Sequence, residues 1–321
     1  MKNLFTRSAD LIFLTRPLLL IPVWGFAAFG YFCGNNGNIR QIIPFWTSTP
    51  LSVYLMILLF SISVGAVYIL NQLADIEVDK KNGGLPLLAS GIVSLRSGKI
   101  AAVTVSILSI LLPLLFSEIT ICFLAFISII TGILYSFKPS FFSGRPFFDF
   151  LTNAFGYGMV AFGAGWHLSG HTIVSLKFMS ACLPYFLLMC AGSISSTIPD
   201  FDGDKDCGKI TTAVLLGKKK AHLLATLLLL TGLCVSIINR DLVAFICAIA
   251  PLPLYILYII SPKPAFMEST YKIGGGICVM AAMFSMPLFF FAALIVFLST
   301  WLYFRIRHGV YYPSLLPARH D

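Results

Sequence analysis

Asn71-Gln72-Leu73-Ala74-Asp75-Ile76-Glu77-Val78-Asp79 decides how the rest of the chain is read. It closes an apolar run of about 20 residues, the length that crosses a bilayer, and then presents three carboxylates. The same change recurs at Asp200-Phe201-Asp202-Gly203-Asp204-Lys205-Asp206, also after an apolar run. The two stretches hold 7 of the 13 acidic residues. Carboxylates are costly beside a bilayer, so gathering them at two span ends marks a functional site. Their hard oxygens suit Mg²⁺, which takes one or two carboxylates and fills its shell with water and substrate phosphate.

Around these stretches the chain is 58 % hydrophobic and 11 % charged, with a mean hydropathy of +0.91. Soluble domains are about 25 % charged. The chain therefore reads as an all-α, polytopic membrane protein, a single domain over residues 1–321. Apolar runs predict nine spans, near 11–33, 50–73, 98–116, 119–136, 147–168, 173–197, 220–238, 241–260 and 275–303. The expected architecture is a nine-transmembrane-helix bundle around a central apolar cavity, with a cytoplasmic cap. Loops 74–97 and 198–219 carry the acidic motifs. Residues 1–32 show no clear small-residue cleavage site and read as a first span, not a removable leader.

The net charge of +9 does not point to nucleic acid, because the basic residues sit in short loops where they set membrane orientation. With the N-terminus cytoplasmic, 16 of the 22 lysines and arginines fall inside. Arg40, Lys177, Arg240, Arg305, Arg307 and Arg319 fall outside. Three of these belong to the C-terminal tail, which an eight- or ten-span arrangement would move inward. Both acidic clusters, and with them the active site, then lie at the cytoplasmic face. Of the 8 cysteines, seven lie in apolar stretches and none shows metal-type pairing. His167 and His171 share a helical spacing but have no third ligand in view, and they read as interfacial residues.

Residues four apart share a helix face, which stacks Asn71, Asp75 and Asp79 along one side of the end of span two. Asp200 and Asp204 repeat that geometry after span six if the helix persists through Pro199 and Gly203. Glu77, Asp202 and Asp206 project toward loop lysines or water. Two facing clusters would hold Mg²⁺ with a diphosphate between them. Lys138, Arg145, Lys205 and Lys209 are candidates to neutralise the departing charge. An apolar, aromatic-rich cavity would shelter the allylic cation left behind. Asp149 is expected to pair with Arg145, the alternative being that it faces the cavity, and Asn153, one turn deeper, to contact an acceptor.

At these residues the chain resembles the UbiA-type intramembrane prenyltransferases. Asn71-Gln72-x-x-Asp75-x-x-x-Asp79 matches that family's first motif. The run from Thr197 through Asp200, Asp204, Gly208-Lys209 and Thr211 to Leu216-Gly217 is similar to its second. Tyr135-Ser136-Phe137-Lys138 resembles its Tyr-Ser with a downstream lysine, and Arg16-Pro17 its entry to span one. The resemblance implies Mg²⁺-dependent transfer of a prenyl group from a prenyl diphosphate to a lipophilic or aromatic acceptor, with a quinone precursor as the leading acceptor. It implies Asn71, Asp75, Asp79, Asp200 and Asp204 as Mg²⁺–diphosphate residues, with Tyr135 and Lys138 near the reacting carbon. Thr197 replaces the first aspartate of many second motifs. The loop Leu85-Pro86-Leu87-Leu88-Ala89-Ser90-Gly91 is closest to homogentisate-type members. Two other classes use similar features: a membrane terpene cyclase that quenches the cation internally, and a cation-linked transporter. A transporter would place its acids at mid-bilayer, not at one rim.

Overall fold

The computed structural model describes residues 2–35, 37, 48–81 and 85–313, and every regular element among them is helical. In hydrocarbon each backbone N–H and C=O must be satisfied within the protein, so long apolar runs become helices. Helix α1 (Lys2–Leu14) leads through Thr15 and Arg16 and a 3₁₀ turn, Pro17–Leu19, into α2 (Leu20–Gly34). Helix α3 (Leu51–Ala74) carries the first motif and continues as α4 (Ile76–Lys81); α5 (Pro86–Ala89) follows. Asn82, Gly83 and Gly84 of the first-motif loop, together with Arg40 and Arg319, lie outside the described residues. Helices α6 (Leu95–Leu114) and α7 (Ile119–Ser136) form the hairpin expected from Ser117-Glu118, with Ser117 at φ 60°.

The fifth rod has three parts: α8 (Phe148–Ala154), a π-helical segment (Phe155–Ala161) and α9 (Phe162–Leu168). Helix α10 (Leu176–Thr197) precedes the short α11 (Phe201–Asp206) and α12 (Thr212–Leu216). Then come α13 (Lys218–Ile238), α14 (Leu242–Ile249), α15 (Leu252–Ile260), α16 (Pro264–Ser285) and α17 (Leu288–His308). Pro251 divides α14 from α15 within one crossing.

Among the described residues, eight helices are long and apolar enough to cross a membrane. The segmented rod 148–168 and the 22-residue α16 have comparable length. Half or more of α3 and α10 is buried, 56 % in each apolar window, against 22 % for α6 and 17 % for α17. The first pair is therefore central and the second peripheral. Helix α2 crosses α9 at backbone contact: a Cβ on Gly30 would lie 1.9 Å from the Phe162 carbonyl oxygen, and one on Gly165 1.7 Å from that of Ala27. Small residues permit such close approach, which drives helix association where no hydrophobic effect operates.

The last expected span needs correction. Residues 275–303 belong to two helices, α16 and α17, turning at Met286-Pro287. Phe289 packs on Trp24 and Tyr54, whereas Phe304 joins Leu14, Ile69, Leu87, Leu88 and Val93. Helix α17 thus returns to the acidic side. Its end is fixed there by Arg307, which donates two 2.6 Å bonds to the buried Asp10, and by Tyr303, which donates one of 2.5 Å. Arg305 and Arg307 therefore lie on the same side as the acidic clusters, not opposite them. The turn occupies only two residues and breaks no apolar run, so Pro287 was its one sequence signal.

Candidate active site

The first acidic stretch keeps its helical register through the boundary of α3 and α4. The Asp75 amide donates to the Asn71 carbonyl (2.9 Å) and the Asp79 amide to that of Asp75 (2.8 Å). Asn71, Asp75 and Asp79 share one face, as their spacing predicts. Asn71 Nδ2 donates to Asp75 Oδ2 at 3.1 Å. The second stretch takes another route. Helix α10 stops at Thr197, the chain bends through Ile198-Pro199, and α11 starts directly after Asp200, whose side chain makes no capping bond. The Asp204 amide then donates to the Asp200 carbonyl (2.8 Å), restoring the i,i+4 relation.

Lys209 joins the two stretches. Its amide donates to the Asp204 carbonyl (2.9 Å), and its Nζ lies 3.2 Å from Asp75 Oδ1. Both Lys209 and Asp204 are 8 % exposed. Arg16 approaches from the other side, 3.7 Å from Asp79 Oδ2. Burial pushes the Asp204 carboxyl up to about 6, with Lys209 pulling it down and Asp200, Asp75 and Asp149 pushing it further up. Asp200 is open to water on one side, yet the protein on the other raises its carboxyl, against the pull of Lys209. Asp79 is raised by desolvation and Asp75 and restrained by Arg16 and Lys209. Four carboxylates thus share two nearby cations, and three of them have raised proton affinity. That balance favours uptake of a further cation.

Below this rim lies a cavity of about 390 Å³. Arg16, Asn71, Tyr135, Asn153 and Ser196 stand at its mouth, and Val23, Val64, Ser128 and Met189 lie deeper. Asn153 Nδ2 donates to Ser193 Oγ (2.9 Å) and, more weakly, to the Tyr135 hydroxyl (3.5 Å). Asn71, Tyr135 and Asn153 therefore reach the cavity together. Lys138, Lys205 and Arg145 are exposed. Arg145 donates to the Pro139 carbonyl at 2.6 Å, and among the described residues no ion pair ties any of the three to an acidic cluster. Lys138 follows the end of α7 at Ser136, after Phe137 leaves the helical conformation, so it does not continue the helical face of Tyr135.

The expected Asp149–Arg145 pair is absent. Asp149 instead accepts from the Thr212 amide (2.7 Å) and hydroxyl (2.5 Å), fastening the start of the fifth rod to the segment after the second motif. Its partner lies 63 residues away, beyond the reach of a helical-spacing argument. Arg16 was also missed as a site residue, although an arginine breaking an apolar run before Pro17 was a usable signal. Glu77 and Asp202 pair with Lys80 (2.8 Å) and Lys218 (2.9 Å), as their outward projection implied.

The donor set fits Mg²⁺. Among the described residues no three carboxylate, histidine or cysteine groups form a ready metal cage. The carboxylates instead line both sides of a gap, the arrangement that suits an ion completing its shell with water and phosphate oxygens.

A sequence model of the UbiA prenyltransferase family matches residues 23–270, and the chain belongs to that family. It is 28 % identical over 199 residues to a homogentisate geranylgeranyltransferase of Triticum aestivum, covering 58 % of this chain and 48 % of the relative. It is 30 % identical over 199 residues to coumarin 8-geranyltransferase 1 of Citrus limon, covering 57 % and 46 %. The chain thus matches about half the length of these relatives. The fold is shared with a UbiA homologue from Archaeoglobus fulgidus solved with GPP and Mg²⁺ (TM-score 0.62, 18 % identity, 87 % of this chain and 99 % of that one). It is also shared with a digeranylgeranylglyceryl phosphate synthase (TM-score 0.63, 20 % identity, 88 % and 98 %).

Proposed function

We propose that the protein transfers a prenyl group from a prenyl diphosphate to an aromatic acceptor, a quinone precursor being the first to test. The observation that carries this reading is the pair of acidic stretches facing each other over an apolar cavity, joined through Lys209 and Asp75. Asp75 and Asp79 on one side, and Asp200 and Asp204 on the other, would hold Mg²⁺ with Asn71. When bound, the metal supplies positive charge for the diphosphate as it leaves. Lys209 and Arg16 are placed to turn from the carboxylates to the diphosphate oxygens, so the same cations serve before and after binding.

Breaking the C1–O bond sends its electron pair to the diphosphate and leaves an allylic cation in the cavity. Tyr68, Tyr135 and Tyr157 line that space, and their faces suit a delocalised cation. A ring carbon of the acceptor supplies the new bond, and the displaced ring proton passes to water or diphosphate. Asn153, held by Ser193, is placed to orient the acceptor. The relatives named for homogentisate and coumarin support an aromatic acceptor, and the archaeal homologue solved with GPP and Mg²⁺ supports the donor and metal. Lysine and arginine placement supports a cytoplasmic rim.

Membranes holding the protein, incubated with labelled prenyl diphosphate, Mg²⁺ and candidate aromatic acceptors, should form a prenylated aromatic product. Transfer that persists unchanged in both Asp75→Ala and Asp200→Ala would refute the site. Product formed without acceptor would replace transfer with cyclisation.

A further inference from the structure

Two tyrosines meet inside the cavity. Tyr68 on α3 and Tyr157 in the π-helical segment both line it, and their hydroxyls hydrogen-bond to each other. A π segment admits one extra residue per turn and re-aims the side chains it carries, often at functional sites. Here it presents Tyr157 toward α3. It also leaves Gly156 on the cavity wall, where an added Cβ would meet nothing within 4 Å.

The walls give the depth. Arg16 to Val23, Asn71 to Val64, Tyr135 to Ser128 and Ser196 to Met189 each step seven residues from mouth to floor. At 1.5 Å per residue this is roughly 10 Å, about the reach of two extended isoprene units. One turn beyond the floor the bundle is filled with rings. Phe26, Phe29, Phe60, Phe162 and Tyr185 are all buried. Phe26 packs against Tyr157 (centroids 5.7 Å apart) and Phe29 against Tyr185 (4.8 Å). Close-packed interiors yield to extra methylenes only at a cost in strain.

We propose that the Tyr68–Tyr157 bar and the aromatic plug beneath it set the length of the donor's tail, matching the cavity to a geranyl group and excluding longer chains from its depth. This rests on the prenyl-transfer reading and adds the size of the substrate to it. Tyr157 is the measuring residue, because its ring stands between the open cavity and Phe26. Gly156 sets the width at the same level.

The test needs no acceptor. Full-length protein in nanodiscs with Mg²⁺ is titrated with the thiolo-diphosphate analogues of dimethylallyl, geranyl, farnesyl and geranylgeranyl diphosphate. Affinity should rise from dimethylallyl to geranyl and fall by about tenfold at farnesyl and geranylgeranyl. Tyr157→Ala should move the cut-off to farnesyl, Tyr157→Phe should keep it, and Gly156→Leu should drop it to dimethylallyl. Wild-type affinity that keeps rising through geranylgeranyl overturns the proposal, as does an unchanged order of preference in Tyr157→Ala and Gly156→Leu. If Tyr157→Ala fails to fold, the wild-type and Gly156→Leu series decide. If none of the four analogues binds, the transferase reading itself fails, which sets that outcome apart from binding that ignores tail length.

Discussion

The two acidic stretches present the same spacing by different backbone routes, and their electrostatics differ accordingly. The first rides a helix that continues almost unbroken from α3 into α4, with Asp75 held by Asn71 and Lys209 and Asp79 approached by Arg16. The second begins only after the chain bends at Ile198-Pro199. It buries Asp204, and Lys209, the cation that lowers its carboxyl, points its ammonium at Asp75. One side holds both ion pairs, although burial raises Asp79 there too. The other carries charge that burial makes unfavourable and that a divalent ion would relieve.

That contrast is broken most severely by removing carboxylates. Asp204→Asn and Asp75→Asn should each lower prenyl transfer by about a hundredfold or more, the scale of losing one transition-state electrostatic contact. Equal metal affinity in the two variants would show that the stretches share the ion evenly; a larger loss in Asp204→Asn would confirm the asymmetry.

Next in size is the effect of pH on metal binding. The Asp204 carboxyl is raised to about 6 from an ordinary 3.8, so folding favours its protonated form. Its stabilising contribution is complete below the usual carboxylate range and disappears as pH rises through about 6. Metal-free protein should therefore lose thermal stability between about pH 4 and 6, the interval separating the ordinary and the raised carboxyl values. The stabilisation produced by Mg²⁺, measured as a Tm shift in detergent, should grow over the same interval. Lys209→Met, which removes the group lowering the Asp204 carboxyl, should shift that rise to higher pH. A Tm shift independent of pH in both proteins would remove Asp204 from the metal.

Smaller effects probe the frame that keeps the stretches opposed. Asp149→Ala leaves the Thr212 amide and hydroxyl without their acceptor and should cost about 2 kcal/mol. Its transfer activity should fall more than that of the conservative Asp149→Asn, because the segment after the second motif loses its tie. Arg307→Met leaves Asp10 buried with Tyr303 as its bonded partner and His308 nearby, and should cost about 2 kcal/mol, since Arg307 is partly open to water. Prenyl transfer per folded molecule should stay unchanged, so thermal unfolding and activity together separate this contact from the site.

Much of this was legible in the sequence because it depended on local spacing. Apolar runs marked the spans, and i,i+4 carboxylates marked a shared face that the backbone bonds from Asn71 through Asp79 maintain. What was hidden depends on distant partners or on small backbone departures. The Asp149–Thr212 contact joins residues from separate helices. Lys138 lies near Tyr135 in sequence but past the end of α7, so helical spacing does not fix its position relative to Tyr135. The Tyr68–Tyr157 pair involves a π-helical segment, which apolar periodicity does not distinguish from an ordinary helix. The turn at Met286-Pro287 changes direction without changing polarity, and so two helices read as one span.

The return of α17 fixes the parity of the chain's passage through the bilayer. Residues 10 and 307 touch, so reporters attached upstream of α1 and downstream of α17 would share a compartment, and complementary halves of a split fluorophore placed there should reunite without either crossing the lipid.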